Sequence, residues 1–183
     1  MASLFSHAAA ALAIGACFAR PGVPKRVWAF GVLAAMLPDA DVLGFKLGIP
    51  YGHMLGHRGL THSLVFAAAL AAALTLAAGA ARGMSRAALY LYLFLAAASH
   101  GALDALTNGG LGVAFLAPFD NHRFFFPFHP IQVSPIGIAR FFTARGWAVI
   151  RSELVWIWLP SSLLAAIALT FRRSARQTAA GTA

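Results

Sequence analysis

Apolar runs alternate with short polar turns along the whole of this 183-residue chain. Residues 4–18 form an alanine-rich run, and 27–37 a second that stops at Pro38. Residues 62–81 and 87–106 are longer, and 154–171 is the last. A straight helix needs about 20 apolar residues to cross a bilayer. The pattern predicts an all-α, polytopic membrane helix bundle of about five membrane helices. The run at 27–37 is too short to span alone. Either its helix continues past Pro38, or its polar end stops below the membrane surface and lines a wet cavity. Residues 138–150 mix apolar positions with Arg140 and Arg145, which predicts an amphipathic interfacial helix in the last loop.

The punctuation supports these elements. Residues 20–26 combine prolines, a glycine and three cations, a turn at a membrane surface. Thr61 or Ser63 is placed to cap the third helix, and Asn108-Gly109-Gly110 to end the fourth. Pro160 predicts a kink in the last. No basic region precedes the first apolar run, so it reads as a short first span rather than a signal peptide. The expected organisation is a single membrane-embedded domain over 1–173 and a disordered tail over 174–183.

Composition agrees with the pattern. The chain is 60% hydrophobic and 10% charged, with a mean hydropathy of +0.75. Its net charge is +9. The cations sit between apolar runs and near the C-terminus, as membrane flanks do, so no nucleic-acid partner is expected. The turns at 20–26 and 82–86 and the stretch 172–176 carry eight Lys or Arg; the longer loops at 38–61 and 107–153 carry six. The positive-inside rule then puts the short basic turns and the C-terminus in the cytoplasm. Cys17 lies alone in an apolar run and is expected to be buried and inert.

Against this background, residues 37–63 stand out. The stretch reads LPDADVLGFKLGIPYGHMLGHRGLTHS and holds Asp39, Asp41, His53, His57 and His62. With five crossings, His7 begins the first helix, Asp39 and Asp41 end the second, His57 and His62 begin the third, and His100 and Asp104 end the fourth. All seven then fall on one side of the membrane, the extracytoplasmic one. His100 and Asp104 are spaced i, i+4 and share a helix face. His57 and His62 bracket a tight turn at Gly59. Asp39 and Asp41 are two apart and, in an extended segment, point the same way. Neutral imidazoles with carboxylates suit Zn, Mn or Fe(II). Such a site activates water, and two adjacent ions favour in-line attack at phosphorus.

Each residue also has a plainer reading. His7 alone is a helix-packing contact, Asp39 a helix cap, and the His100–Asp104 pair a proton relay or substrate site in a transporter. Arg58 and Arg123 either bind an anionic group or anchor the chain at the surface. His53, His122 and His129 read as loop or interfacial residues. The aromatic stretch 124–128 reads as an interfacial belt or a hydrophobic lid. Seven ionisable groups converging from four apolar segments are hard to explain by packing alone, because such groups are costly within a membrane.

The chain resembles the YdjM-type inner-membrane proteins over His7 to about Pro135. The matching pieces are His7, Leu37-Pro38-Asp39-Ala40-Asp41, His57-Arg58-Gly59-Leu60-Thr61-His62-Ser63, Ser99-His100, Asp104-Ala105-Leu106-Thr107, Pro118-Phe119 and Arg123-Phe124-Phe125-Phe126-Pro127. The resemblance implies a metal-dependent hydrolase, distantly similar to the zinc-dependent phospholipase C and P1 nuclease proteins. By it, His7, one of Asp39 or Asp41, one of His57 or His62, and His100 with Asp104 are ligands. No second HxxxD or HxxxE pair follows Asp104, so one or two ions, zinc by resemblance, are expected rather than three. The expected reaction is hydrolysis of a lipid or lipid-linked phosphate ester. Asp39 or Asp41 bridges the metals or acts as general base, and Arg58 and Arg123 hold the substrate's negative charge. The rival functions are a transporter using the His/Asp set as a proton or metal path, and a non-catalytic adaptor with a structural metal. Zinc content separates the metal readings from a proton relay.

Overall fold

A computed structural model describes residues 1–18, 20–136 and 141–181. Its helices are α1 (Leu4–Phe18), α2 (Lys25–Met36), α3 (Leu64–Ala78), α4 (Arg86–Ala105), α5 (Ala144–Glu153) and α6 (Leu159–Gly181). Among the described residues there is no strand, only isolated bridges such as Val113 with Phe124. The all-helical expectation holds.

Helix α2 does continue past Pro38, but in a different form. It runs into a 3-10 segment over Leu37–Leu47 with Pro38 in its first turn. Proline has no N–H to donate and its ring crowds the carbonyl four residues back, so the backbone tightens. Gly48, with φ of 73°, ends the segment. Ser63 caps α3, its Oγ accepting from Phe66 N at 3.1 Å.

Length and composition account for three of the expected spans. Three helical segments are long and apolar enough to cross a membrane: Lys25–Leu47, Arg86–Ala105 and Ala144–Ser174. Leu4–Phe18 and Leu64–Ala78 are apolar but shorter. Helix α3 is shorter than its apolar run because 60–62 fold into a separate 3-10 turn that carries His62. The interfacial helix is also not a separate element. Residues 137–140 lie outside the described residues, and from Ala144 the chain runs through a π turn at Leu154–Trp158 into α6 as one rod. The π turn directly precedes Pro160, where a wider turn relieves the proline's clash. Helix α6 continues through Gly181, into the stretch expected as a tail; 182–183 lie outside the described residues.

Helix α4 is the centre of the bundle, packed on α1, α2 and α3, while α6 lies along α1. The core is built from alanines around Leu89, Tyr92 and Leu93. Small residues let apolar helices approach closely. The Tyr92 ring fits against Gly15 and Gly31, where any side chain would meet it. Cys17 is exposed rather than buried. The loop over 106–136 folds under the end of the bundle. It is held by Ile131 N to Leu106 O, Asn108 N to Ile131 O and Phe126 N to Ala105 O. That loop closes the end at which the polar side chains gather.

Candidate metal centre

Four elements bring one group of ligands together. Helix α4 supplies His100 and Asp104 one turn apart, and both are fully buried. The first turn of the 3-10 segment supplies Asp39. The turn at Leu60–His62 supplies His62, and α1 supplies His7. One ligand atom from each of Asp39, His62, His100 and Asp104 lies within 4.8 Å of the others.

Hydrogen bonds fix how the two central imidazoles face. His100 Nδ1 donates to the Ala35 carbonyl at 2.7 Å, and a carbonyl can only accept. His62 Nδ1 lies 3.2 Å from Asp41 Oδ2. Both Nε2 atoms are thereby left facing inward, 2.9 Å apart. Two bare lone pairs at that distance repel, so a proton or a metal ion must lie between them. The point between the rings is therefore a strong site for positive charge.

The carboxylates surround the same point. Asp39 Oδ1 is 3.7 Å from His62 Nε2 and 3.4 Å from His100 Nε2. Asp104 Oδ2 is 3.6 Å from His62 Nε2. Ligands bound at about 2.0–2.2 Å in a tetrahedron stand about 3.3–3.6 Å from each other. Both oxygens of Asp39 and both ring nitrogens of His7 are buried without a hydrogen-bond partner. Buried polar atoms left so are uncommon and call for a missing partner such as an ion. His7 stacks on His100 with ring centroids 3.8 Å apart, and its Nε2 is 3.6 Å from Asp104 Oδ1. The donor set fits a divalent metal.

Asp41 and His57 stand one layer behind. Asp41 faces His57 Nδ1 at 2.6 Å and accepts from Thr61 Oγ1 at 2.6 Å and Arg58 N at 3.1 Å. With its contact to His62, Asp41 stands where a carboxylate sets the tautomer and ring orientation of a histidine. Asp41, His57 and His62 also form a second group of possible ligands. The backbone makes this compact. Arg58 has a positive φ of 63°, and a Cβ on Gly59 would collide with the Met54 carbonyl.

The two arginines are engaged with protein. Arg58 is fully buried. Its Nε lies 2.9 Å from Asp104 Oδ2, and its other nitrogens donate to Gly109 O at 2.8 Å and Thr107 Oγ1 at 3.0 Å. Arg123 donates to the carbonyls of His57, Tyr51 and His53 and so clamps the loop around the site. Burial lowers the Arg123 pKa. Neither guanidinium is placed as a free anion receptor. His53, His122 and His129 are exposed and do not join either ligand group.

Sequence reasoning missed the neighbours that hold α1 in place. Ala2 N donates to Asp104 Oδ1 at 2.7 Å. Glu153 is buried and accepts from Ser3 N at 2.5 Å, Ser3 Oγ at 2.6 Å and Ser6 Oγ at 2.8 Å. Ser6 Oγ in turn accepts from Trp158 Nε1 at 2.8 Å. The available signal was that Glu153 is the single glutamate of the chain, at the edge of an apolar run.

The sequence profile of the YdjM inner membrane proteins matches residues 1–177. The chain belongs to the YdjM inner membrane protein family. It is 43% identical over 164 residues to the inner membrane protein YbcI of Escherichia coli strain K12, covering 90% of this chain and 95% of that protein. No solved structure matches. Family membership makes this YdjM-family chain an inner-membrane protein, so its buried His/Asp cluster sits among helices whose surroundings are lipid.

Proposed function

We propose that this YdjM-family protein is a membrane-bound, metal-dependent hydrolase that cleaves a phosphate ester of a lipid or lipid-linked substrate. One observation carries the reading: the Nε2 atoms of His62 and His100, the unpartnered oxygens of Asp39 and the carboxylate of Asp104 converge on one buried point. Asp39, His62, His100 and Asp104 would hold one ion, zinc being suited to such His/Asp donors, with His7 alongside. A second ion would fall to Asp41, His57 and His62. When bound, such an ion supplies Lewis acidity toward water and a phosphoryl oxygen.

The residues of this chain divide the remaining work. Asp39 has no other partner for its oxygens and borders an open cleft, which suits it to take a proton from water. Asp41 orients His62 and His57. Arg58 balances Asp104 and Arg123 holds the loop, so both support the site rather than touch substrate.

Depth favours a lipid substrate. From Lys25 to Met36 the helix rises about 16 Å, and three 3-10 residues add about 6 Å. Asp39 thus stands about 22 Å from the basic end, inside a hydrocarbon core of about 30 Å. The full arrangement has five crossings, the two short helices being accommodated by local thinning of the bilayer. Their basic turns face the cytoplasm and the metal centre faces the extracytoplasmic side. Against a conducting path stands the far half of the bundle, where the core around Tyr92 is apolar.

The test is hydrolysis of phosphate-ester lipids by the full-length protein, purified with metal. Activity that is lost in His62→Ala and Asp104→Asn is expected. A metal-loaded protein that turns over no phosphate ester, yet moves protons or metal ions across vesicles, overturns the enzyme reading in favour of a transporter.

A further inference from the structure

A cleft of about 790 Å³ opens between the first turns of α1, the end of α2 and the segments on either side of 137–140. Phe5, Ala8, Leu33, Met36 and Phe141 line it, and Asp39 stands at its inner end. Phe5 and Phe141 form one wall, their ring centroids 6.4 Å apart. The aromatic stretch 124–128 does not contribute to it.

We infer that this cleft binds one acyl chain of a membrane lipid, admitted sideways from the bilayer, with the lipid's polar linkage at Asp39. The inference rests on the proposed hydrolase reading for what happens at Asp39, and on the structure for the chain.

Three observations support it. First, the described residues that line the cleft include no Lys or Arg. Apart from Met1, Ser3, Ser134 and Asp39, its described walls are apolar and suit a neutral hydrocarbon tail. Second, its inner end is not apolar. Asp39 is 5% exposed, both its oxygens lack partners, and it belongs to the ligand group. An apolar groove that ends on such a carboxylate matches a molecule with a tail and a polar linkage. Third, Leu33 and Met36 belong to a candidate membrane span, so the cleft opens at a depth where the surrounding solvent is itself acyl chains. Phe142, 82% exposed at the rim, is then a lipid-facing side chain rather than a stranded one.

The test uses phosphatidic acid carrying a photoactivatable diazirine on one acyl chain, in vesicles that contain the full-length protein. Adducts are mapped by mass spectrometry. Labelling concentrated on Phe5, Leu33, Met36 and Phe141 is expected, and it falls at least severalfold in Ala8→Trp and in Leu33→Trp, which fill the cleft by different routes. Zinc content and thermal unfolding of both variants are measured beside it and stay as in the wild type. Labelling spread evenly over the outward faces of α3 and α6, and unchanged by either substitution, overturns the inference. Cleft labelling without hydrolysis of any lipid leaves the chain site standing and removes the hydrolase reading. Hydrolysis that persists with evenly spread labelling does the reverse.

Discussion

His62 and His100 face each other through their Nε2 atoms at 2.9 Å, and each ring is locked from behind by a hydrogen bond at Nδ1. The two locks differ in kind. Behind His100 is the Ala35 carbonyl, which no side-chain substitution removes. Behind His62 is the carboxylate of Asp41, which can be changed.

Asp41→Asn is therefore expected to weaken metal binding without removing a ligand from the central group. An amide can accept through one oxygen only, while Asp41 serves His57, His62, Thr61 and the Arg58 backbone. Loss of such an outer carboxylate costs about 10–100-fold in metal affinity. Competition with a chromophoric chelator measures it, and an unchanged affinity would show that Asp41 does not orient the site.

Arg58→Met removes the guanidinium that faces Asp104 and leaves a buried carboxylate without its counter-charge. Breaking a buried pair from one side costs about 3–5 kcal/mol. Thermal unfolding of the chelator-treated protein is expected to show a loss of that order. Arg58→Lys recovers only part, because an ammonium cannot reach Asp104, Thr107 and Gly109 together.

Glu153→Gln separates stability from metal binding. The glutamine's amide presents a donor where the two serine hydroxyls now donate. A buried group left unsatisfied costs about 1–3 kcal/mol. Metal content is expected to stay at the wild-type level, because Glu153 belongs to neither ligand group. Loss of metal with unchanged stability would reverse that assignment.

Gly59→Ala tests the turn itself. Its methyl would meet the Met54 carbonyl, which accepts from Leu60 N at 2.7 Å. Overpacking of this kind costs about 1–3 kcal/mol, and the shift displaces His57, Arg58 and His62 together. Both unfolding temperature and metal affinity are expected to fall; a normal value of each would mean that the turn relaxes freely.

Much of this was legible in the sequence. Helix α1 has the expected bounds, and the pattern of apolar runs placed His7, Asp39, His62, His100 and Asp104 at one end of the bundle. What periodicity could not tell was the role of each residue. Asp39 and Asp41 look alike two residues apart, and only the 3-10 turn after Pro38 sends them to different layers. Arg58 and Arg123 look like anion receptors as bare cations, and only their carbonyl and carboxylate partners, distant in sequence, make them braces. The contact of Glu153 with Ser3 and Ser6 spans about 150 residues, beyond any local pattern. The cleft walls come from both ends of the chain, so Phe5 and Phe141 could not be paired by spacing.

Elemental analysis of the full-length protein, purified from membranes without chelator, tests the central claim most directly. At least one first-row divalent ion per chain is expected, with loss of it in the double substitution His62→Ala, His100→Ala and retention of it in His53→Ala. A wild-type protein that holds no metal even after reconstitution with zinc, manganese and iron(II) would contradict it, and would mean that the 2.9 Å contact between the two rings holds only a proton.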